Sequence, residues 1–421
     1  MKQHTGRAAT VALVAALTLV AAGCSGKSGD TDDTEGKGGV KTGPGVSADT
    51  ITLGALTDLS GPYATLGKSI VQAQQMWADK VNKGGGICGR KIKIIVKDHG
   101  YDVQKAGAAY TEISPSVLAF PQVIGSPVMA AILDDVESDK ILTFPQAWAA
   151  SLLGKRSVQV LGTTYDVDMI SAVEYLTRKK GLKKGDRIGH VYFEGDYGTN
   201  ALAGSRYAAK QGGMTIVEQK IKATDTDLSA QVSALRAAKV KAMLISAGPT
   251  QTASLTGVAA AQKFTVPVVS SAPGYAPQLL ATPAAKALLG MLSIVSAAPA
   301  VSTDLPAVKK MAASYKKAYP GQLIDAGVLS GYNSAELMGR DLKAACDAKD
   351  LSRAGLVKAH RSQSAVDNGL GTPQDFSDAS APATLASYII KPDKKALGGV
   401  VGVEDAHELP AAQEYLNTAK P

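Results

Sequence analysis

Short apolar runs alternate with amphipathic segments along most of the chain. Residues 51–56 form an apolar run of strand length, and apolar side chains recur at helical spacing over 69–82. Strands separated by helices are typical of parallel sheets covered by helices on both faces. The pattern predicts strands over 51–56, 92–96, 117–120, 141–144, 188–193, 215–218, 242–245 and 266–269, and helices over 69–82, 103–113, 129–137, 200–211, 228–238 and 252–262.

This alternation falls into two blocks, the second of which begins near Asp166. A chain of 421 residues is also longer than one hydrophobic core usually serves. The sequence therefore predicts an α/β protein with two doubly wound parallel-sheet lobes and a ligand cleft between them.

Ligands of open α/β sheets bind at the loops that follow the carboxyl ends of the strands. In this chain those loops carry Ser, Thr, Gln, Tyr and Gly instead of clustered acids or histidines. They provide Tyr63, Gly248, Ser271 and Tyr275 as candidate ligand contacts. The predicted cleft loops are 57–65, 122–127, 145–151, 194–198, 247–251 and 270–275.

The first 24 residues have the features of an export signal. Lys2 and Arg7 precede an apolar run over 8–22, which is short for a membrane span. Small residues then lead directly to Cys24, as in the lipobox of bacterial lipoproteins, whose cysteine carries the lipid. An ordinary signal peptide with an incidental cysteine is the alternative. Residues 25–47 are rich in Gly, Asp, Lys and Thr, which predicts a flexible tether.

Other classes of protein find little support in the sequence. The net charge of +8 comes from scattered lysine and arginine, without a basic arm, so no nucleic-acid partner is expected. The five histidines are scattered singly, which predicts no metal site, and no cofactor is expected. The segment 61–69 resembles a phosphate-binding loop but has five residues between its glycines where the motif has four. We therefore predict that the protein is not an enzyme.

Several segments resemble a known family when they are taken in order. They are ITLGALTDLSGPYATLG at 51–67, VNKGGGICGR at 81–90, DHGYD at 98–102, GDYG at 195–198, TDTDL at 224–228 and DFS at 375–377. Together they resemble the branched-chain-amino-acid-type solute-binding proteins of ABC importers, which have the type I periplasmic-binding fold. The resemblance covers about 51–403.

The resemblance implies a domain organisation and a role. Lobe 1 would comprise 48–164 and 296–374, and lobe 2 would comprise 165–295 and 375–421. The protein would capture a small solute outside the cell, held to the outer face of the cytoplasmic membrane by its lipid anchor, and deliver the solute to ABC permease subunits. A ligand-sensing receptor on the same fold is the alternative. The topology also returns Cys346 to the lobe of Cys88, and two thiols of an exported protein are expected to pair.

The resemblance also implies ligand contacts. In relatives the ligand carboxylate is held after the third and fourth strands of the first lobe, where this chain has Gly125, Ser126, Gln146, Ala147 and Trp148. The tyrosine of the family's Tyr-Gly pair corresponds to Tyr197. Two structural roles stay open: Ser126 as a helix cap and Trp148 as a core residue.

One position departs from the family pattern. Amino-acid binders keep an acidic residue after the fourth strand of the second lobe to hold the α-amino group, but residues 270–275 of this chain, SSAPGY, contain no acid. Because a buried ammonium without a countercharge is costly, we expect a small carboxylate or polar neutral solute in preference to an α-amino acid. Glu194 and Asp196 are the alternative countercharges.

Overall fold

A computed structural model describes residues 34–36 and 39–419 of the chain. Its first segment begins with two short strands, continues as a parallel sheet with its helices, and ends at the fourth strand of that sheet. These elements are β1 (Thr34–Gly36), β2 (Val40–Thr42), β3 (Thr50–Thr57), α1 (Ala64–Lys83), β4 (Lys91–Asp98), α2 (Val103–Ile113), β5 (Ala119–Ile124), α3 (Ser126–Ala131), α4 (Leu133–Ser138) and β6 (Thr143–Gln146).

The middle of the chain builds most of a second sheet. Its elements are α5 (Tyr165–Lys180), β7 (Arg187–Phe193), α6 (Asp196–Gln211), β8 (Thr215–Ile221), α7 (Ser229–Ala237), β9 (Ala242–Ser246), α8 (Pro249–Ala261), β10 (Val268–Ser271), α9 (Ala285–Met291) and β11 (Leu292–Ser296). The last part of the chain serves both sheets. Its elements are α10 (Pro306–Ala318), α11 (Ala326–Asp347), β12 (Asp350–Leu351), α12 (Arg353–Arg361), β13 (Ala386–Pro392), β14 (Val400–Glu408) and α13 (Pro410–Ala419).

The described residues form two principal sheets. The first is parallel throughout, in the order β4-β3-β5-β6. The second has the order β14-β13-β11-β10-β9-β7-β8, in which β13 and β14 are antiparallel additions to a parallel core. We call each sheet with the helices that pack on it the first and the second lobe. The predicted α/β fold with two parallel-sheet lobes is confirmed.

Helices α1 and α11 pack side by side on the first sheet. Their close approach depends on Gly331, because a Cβ added there would lie 2.5 Å from the carbonyl oxygen of Ile70. Trp77 and Leu337 are buried in the same core. A disulfide joins Cys88 to Cys346, with Cα atoms 6.0 Å apart, so that α11 is tied near its end to the turn that follows α1. This is the cysteine pair expected from the sequence.

Three connections pass between the lobes. They lie between β6 and α5, between β11 and α10, and between α12 and β13. A half-buried arginine joins two of them, since Arg361 donates to Val158 O at 2.7 Å and to Phe376 O at 3.0 Å. The first connection also contacts α6 of the second lobe, because Ala150 N donates to Asn200 Oδ1 at 3.2 Å.

Two predictions made near the N-terminus fare differently. The predicted tether over 25–47 is wrong at its far end, because Val40–Thr42 forms β2 and pairs with β12 on the first lobe. Val40 is buried there, and Lys41 N donates to Lys349 O at 2.9 Å. The lipidation predicted at Cys24, within the signal peptide of residues 1–24, lies outside the described residues. In the part of the chain that is described, no helix has both the length and the apolar composition that a bilayer span requires.

Candidate ligand site

A cavity of about 130 Å³ lies between the lobes, beyond the carboxyl ends of β3, β5 and β6. The first lobe lines it with residues from α1, α3 and α11, the second lobe with residues from α5 and α6, and all three connections contribute as well. The cavity thus occupies the place where an α/β sheet presents its variable loops.

Four tyrosines, two from each lobe, line the cavity. Tyr63 and Tyr101 come from the first lobe, and their ring centroids are 5.1 Å apart. Tyr165 and Tyr197 come from the second lobe, with centroids 4.2 Å apart. All four line the cavity, and we call them the tyrosine cluster.

The tyrosine cluster is a set of neutral hydrogen-bond donors. Burial raises the pKa of all four phenols above the usual value. Each hydroxyl therefore keeps its proton at neutral pH. Tyr197 Oη is already paired with Ser271 Oγ at 2.5 Å. Tyr63 Oη is buried and interacts with the neighbouring Tyr101 side chain, but it makes no hydrogen bond of ordinary geometry with any group in the described residues.

Ser126 contributes a second unpaired hydroxyl. The residue before it, Gly125, has φ of 99°, and a Cβ there would lie 2.5 Å from the Tyr101 ring. Glycine is required at this position for both reasons. Gly125 occupies the N-cap of α3, and no side chain caps the helix, so the alternative role of Ser126 as a cap is not observed. Ser126 Oγ is buried and interacts with the neighbouring Tyr165 side chain, but it makes no hydrogen bond of ordinary geometry in the described part of the chain.

Gln146 and Trp148 line the cavity but have their own partners. Ser330 on α11 donates to Gln146 Oε1 at 2.6 Å. Trp148 Nε1 donates to Leu161 O at 2.7 Å, and its ring meets Tyr165 edge-on. Trp148 is therefore both a packing residue and part of the cavity wall.

Large aliphatic side chains line the rest of the cavity. They come from α1, β5, α11 and two of the connections, and we call them the aliphatic wall. Its members are Leu66, Ile70, Ile124, Leu161, Leu329 and Leu370. The second lobe adds no large aliphatic residue to the lining. An apolar group placed here would leave water at a gain of about 25 cal/mol per Å².

Asp168 is the only acidic residue in the described lining of the cavity. That lining contains no Lys, Arg, His or Glu. It lies in the first turn of α5 and is 6% exposed. Burial raises the pKa of Asp168 to about 7, although hydrogen bonds from Thr163 and Ser387 oppose the shift. In the residues that the structure describes, no group of three or more His, Cys, Asp or Glu side chains could hold a metal ion.

The structure brings together six of the ten ligand contacts expected from the sequence. Those that line the cavity are Tyr63, Gly125, Ser126, Gln146, Trp148 and Tyr197. Ser271 stands one layer behind them, bonded to Tyr197. The remaining three do not line the cavity: they are Ala147, Gly248 and Tyr275.

The three misplaced residues have structural roles. Ala147 is fully buried in the core of the first lobe. Gly248 precedes α8, with the Gln251 side chain packed against it. Tyr275 donates to Gly399 O at 2.7 Å inside the second lobe. Each residue was predicted as a ligand contact because it follows a strand. In the structure each one packs or forms a hydrogen bond away from the cavity.

Sequence reasoning missed Tyr101, Tyr165, Asp168 and most of the aliphatic wall. Tyr165 and Asp168 lie on a helix that follows a connection between lobes, where the rule about strand ends does not apply. Tyr101 directly follows β4 in the DHGYD segment and could have been found by that rule. The alternative countercharges do not reach the cavity, since Glu194 is exposed and neither it nor Asp196 is in the lining.

Comparison with known proteins identifies the family. A sequence model of the periplasmic binding protein family matches residues 50–396. The chain belongs to the periplasmic binding protein family. The resemblance found in the sequence is thereby confirmed, and the family's cleft between two lobes is the place where the cavity lies.

Individual relatives of the family differ in how much of the chain they match. A solved structure titled fatty acid ABC transporter substrate-binding protein, from Thermomonospora curvata, is 52% identical, covers 91% of this chain and 98% of its own, and superposes with a TM-score of 0.90. A branched-chain amino acid ABC transporter protein from Thermus thermophilus with bound valine shares the fold: it is 16% identical, covers 87% of this chain and 98% of its own, and has a TM-score of 0.77.

Among curated sequences, the Leu/Ile/Val-binding protein BraC3 of Rhizobium johnstonii is 28% identical over 45% of this chain and 52% of its own length. The chain thus spans about half the length of the curated relatives it matches.

Proposed function

We propose that this protein is the extracellular substrate-binding component of an ABC importer and that it captures a monocarboxylic acid with an aliphatic tail. One observation carries the proposal: a single cavity is lined both by unpaired buried hydroxyls and by the aliphatic wall, and its described lining contains no cation. The sequence favoured a small carboxylate or polar neutral solute, and the aliphatic wall narrows that expectation to an amphipathic acid.

The unpaired hydroxyls of the cavity lining can bind a carboxylate head group. Tyr63 Oη and Ser126 Oγ are buried without partners, and such groups destabilise a protein unless something binds them. Both can donate to a carboxylate, and a hydrogen bond to a charged group contributes about 1.5–3 kcal/mol. Several such donors offset the desolvation of one carboxylate.

The aliphatic wall suits an alkyl tail. Leu66 and Ile70 on α1 face the cavity together with Leu329 on α11. Each methylene that the wall buries contributes about 0.8 kcal/mol to binding. A small polar solute would leave this wall uncovered and would gain nothing from it.

The relative from Thermomonospora curvata supports this ligand class, since it is named as a fatty acid ABC transporter substrate-binding protein and is 52% identical to this chain. Relatives named for Leu, Ile and Val support a second candidate, a branched-chain amino acid. A specific observation also favours that candidate: Asp168 lines the cavity and, when ionised, is an available countercharge for an ammonium.

A chain-length series tests the proposal. Isothermal titration of the protein with acetate, butyrate, hexanoate and octanoate should show affinity rising about fourfold per methylene until the wall is covered. Leucine serves as the comparison ligand that carries an α-ammonium beside its carboxylate, and octanol as the one whose head is uncharged. Tight binding of leucine together with no binding of octanoate would contradict the proposal.

The membrane anchor is part of the same proposal. Cys24, preceded by small residues, is the residue we expect to be lipidated. A Cys24→Ala variant should be released from the membrane fraction into the medium, whereas Cys24 protein should stay with the membrane. A role as sensor instead of importer subunit is distinguished by uptake of labelled octanoate in cells with and without the gene.

A further inference from the structure

Asp168 stands apart from the other residues that line the cavity. Every other polar side chain there is neutral at all ordinary pH values, and the described lining has no cation. An acid beside the place proposed for a carboxylate head needs an explanation, because two adjacent anions repel each other.

The hydrogen bonds of Asp168 leave one oxygen free. Its Oδ1 accepts from Thr163 Oγ1 at 2.6 Å and from Ser387 Oγ at 3.3 Å. Its Oδ2 receives no hydrogen bond from any residue that the structure describes, and the carboxyl belongs to the cavity lining. Oδ2 is therefore available to a ligand.

The surroundings of Asp168 disfavour its charged form. Asp166 on the same helix adds negative charge, and Tyr165 and Tyr197 from α5 and α6 interact with it as neutral phenols. The strand β13 contributes only the Ser387 hydroxyl, and Tyr415 on α13 faces Asp166. Burial is the largest cause that raises the pKa of Asp168 to about 7. In the free protein the carboxyl is thus divided between its acid and its anion near neutral pH.

We propose that Asp168 takes up one proton from solvent when a carboxylate ligand enters the cavity, and that its Oδ2–H then donates to the ligand head. This inference rests on the proposed function, since it assigns a role in recognising the same acid. Asp168 would then contribute to ligand specificity, because its neutral acid form can donate a hydrogen bond to an anionic ligand. An ammonium ligand would have the opposite effect, because it would hold Asp168 ionised and release a proton.

The direction and size of the pH dependence of binding follow from the two protonation states of Asp168. If only the acid form binds a carboxylate, the apparent affinity scales with the fraction of Asp168 that is protonated. That fraction falls about tenfold between pH 6 and pH 8 for a pKa of about 7. Binding should take up about 0.1 proton at pH 6 and about 0.9 proton at pH 8.

Isothermal titration in two buffers of different ionisation enthalpy counts these protons. The full chain is titrated with octanoate and with octanesulfonate at pH 6 and pH 8. Octanesulfonate cannot itself be protonated, so any proton taken up with it goes to the protein. Asp168→Asn is the test variant, and Glu194→Gln, an exposed acid outside the lining, is the matched control.

We expect the unmodified protein and Glu194→Gln to take up about 0.9 proton at pH 8 with both ligands, and Asp168→Asn to take up none. Binding of octanoate without proton uptake, or equal uptake by Asp168→Asn, would overturn the inference and leave the proposed function standing. Failure of octanoate to bind at either pH would overturn the proposed function. The proton count of the unmodified protein decides the matter even if Asp168→Asn does not fold.

Discussion

The two lobes line the same cavity with different chemistry. The first lobe and the connections supply the aliphatic wall, together with the unpaired hydroxyls of Tyr63 and Ser126. The second lobe supplies Tyr165, Asp168 and Tyr197, of which Tyr197 is already bonded to Ser271. For the proposed ligand we therefore expect the first lobe to provide most of the binding free energy and Asp168 of the second lobe to discriminate between head groups.

The largest effect should come from a polar group in the aliphatic wall. In Leu329→Asn, a buried amide without a partner costs about 1–3 kcal/mol, and the aliphatic contact is also lost. We expect octanoate affinity to fall roughly 100-fold or more, whereas acetate, which does not reach the wall, changes little. Titration of both ligands checks this, with Leu329→Met as the volume-matched control. An equal loss for acetate would mean that the wall and the head site are not separate.

A second prediction concerns how the free energy of unfolding of the unliganded protein depends on pH, through Asp168 of the second lobe. Because the folded pKa of Asp168 is raised from 3.8 to about 7, the folded state binds more protons than the unfolded state between these values. Its contribution to the free energy of unfolding is therefore small at about pH 4, becomes steadily more unfavourable as the pH rises to about 7, and is fully unfavourable above that pH.

Asp168→Asn should remove this dependence. We expect the variant to be more stable than the unmodified protein at pH 8, by roughly 2–4 kcal/mol, and equal to it at pH 4. Thermal unfolding followed by circular dichroism at the two pH values measures the difference. A variant that is less stable at pH 8 would show that the carboxylate is favourably bound in the folded state.

The unpaired hydroxyls of the first lobe give a third prediction. Tyr63→Phe and Ser126→Ala should each weaken octanoate binding by about 1.5–3 kcal/mol, since each removes a donor to a charged head. The melting temperature of the unliganded Tyr63→Phe protein should stay the same or rise, because the buried hydroxyl has no partner to lose. A variant that loses stability but not affinity would place the carboxylate elsewhere.

The smallest effect is expected at Tyr197, whose hydroxyl is satisfied within the second lobe. Tyr197→Phe breaks the bond to Ser271 and should cost about 1 kcal/mol of stability. Octanoate affinity should stay within about threefold, and Ser271→Ala should behave in the same way. A loss of octanoate affinity as large as that expected for Tyr63→Phe would contradict the proposed difference between the two lobes.

The sequence was informative where local pattern determines structure. The predicted strands over 51–56 and 188–193 lie within β3 and β7, because buried parallel strands are continuous apolar runs. One predicted helix, over 129–137, is divided into α3 and α4 near Ile132. The antiparallel β13 and β14 were not foreseen, since they follow a long irregular connection.

The site was harder to predict than the fold. Six of the expected residues line the cavity because strand ends bring their loops together, but Leu329 and Leu370 are ordinary apolar residues in the sequence. Only the packing of α11 and a connection against the cleft places them in the lining of the cavity. Asp168 was missed for a similar reason, because its helix enters the cleft from between the lobes.

The disulfide between Cys88 and Cys346 encloses more than its own lobe. The two cysteines are 258 positions apart, and the strands β7 to β11 of the second lobe all lie between them. A protease that cuts any loop in this interval leaves two fragments still joined covalently. Such a nicked protein would migrate as one species under non-reducing electrophoresis and as two after reduction. Cuts before Cys88 or after Cys346 would release a fragment under both conditions, so limited proteolysis can locate each cleavage relative to this covalent ring.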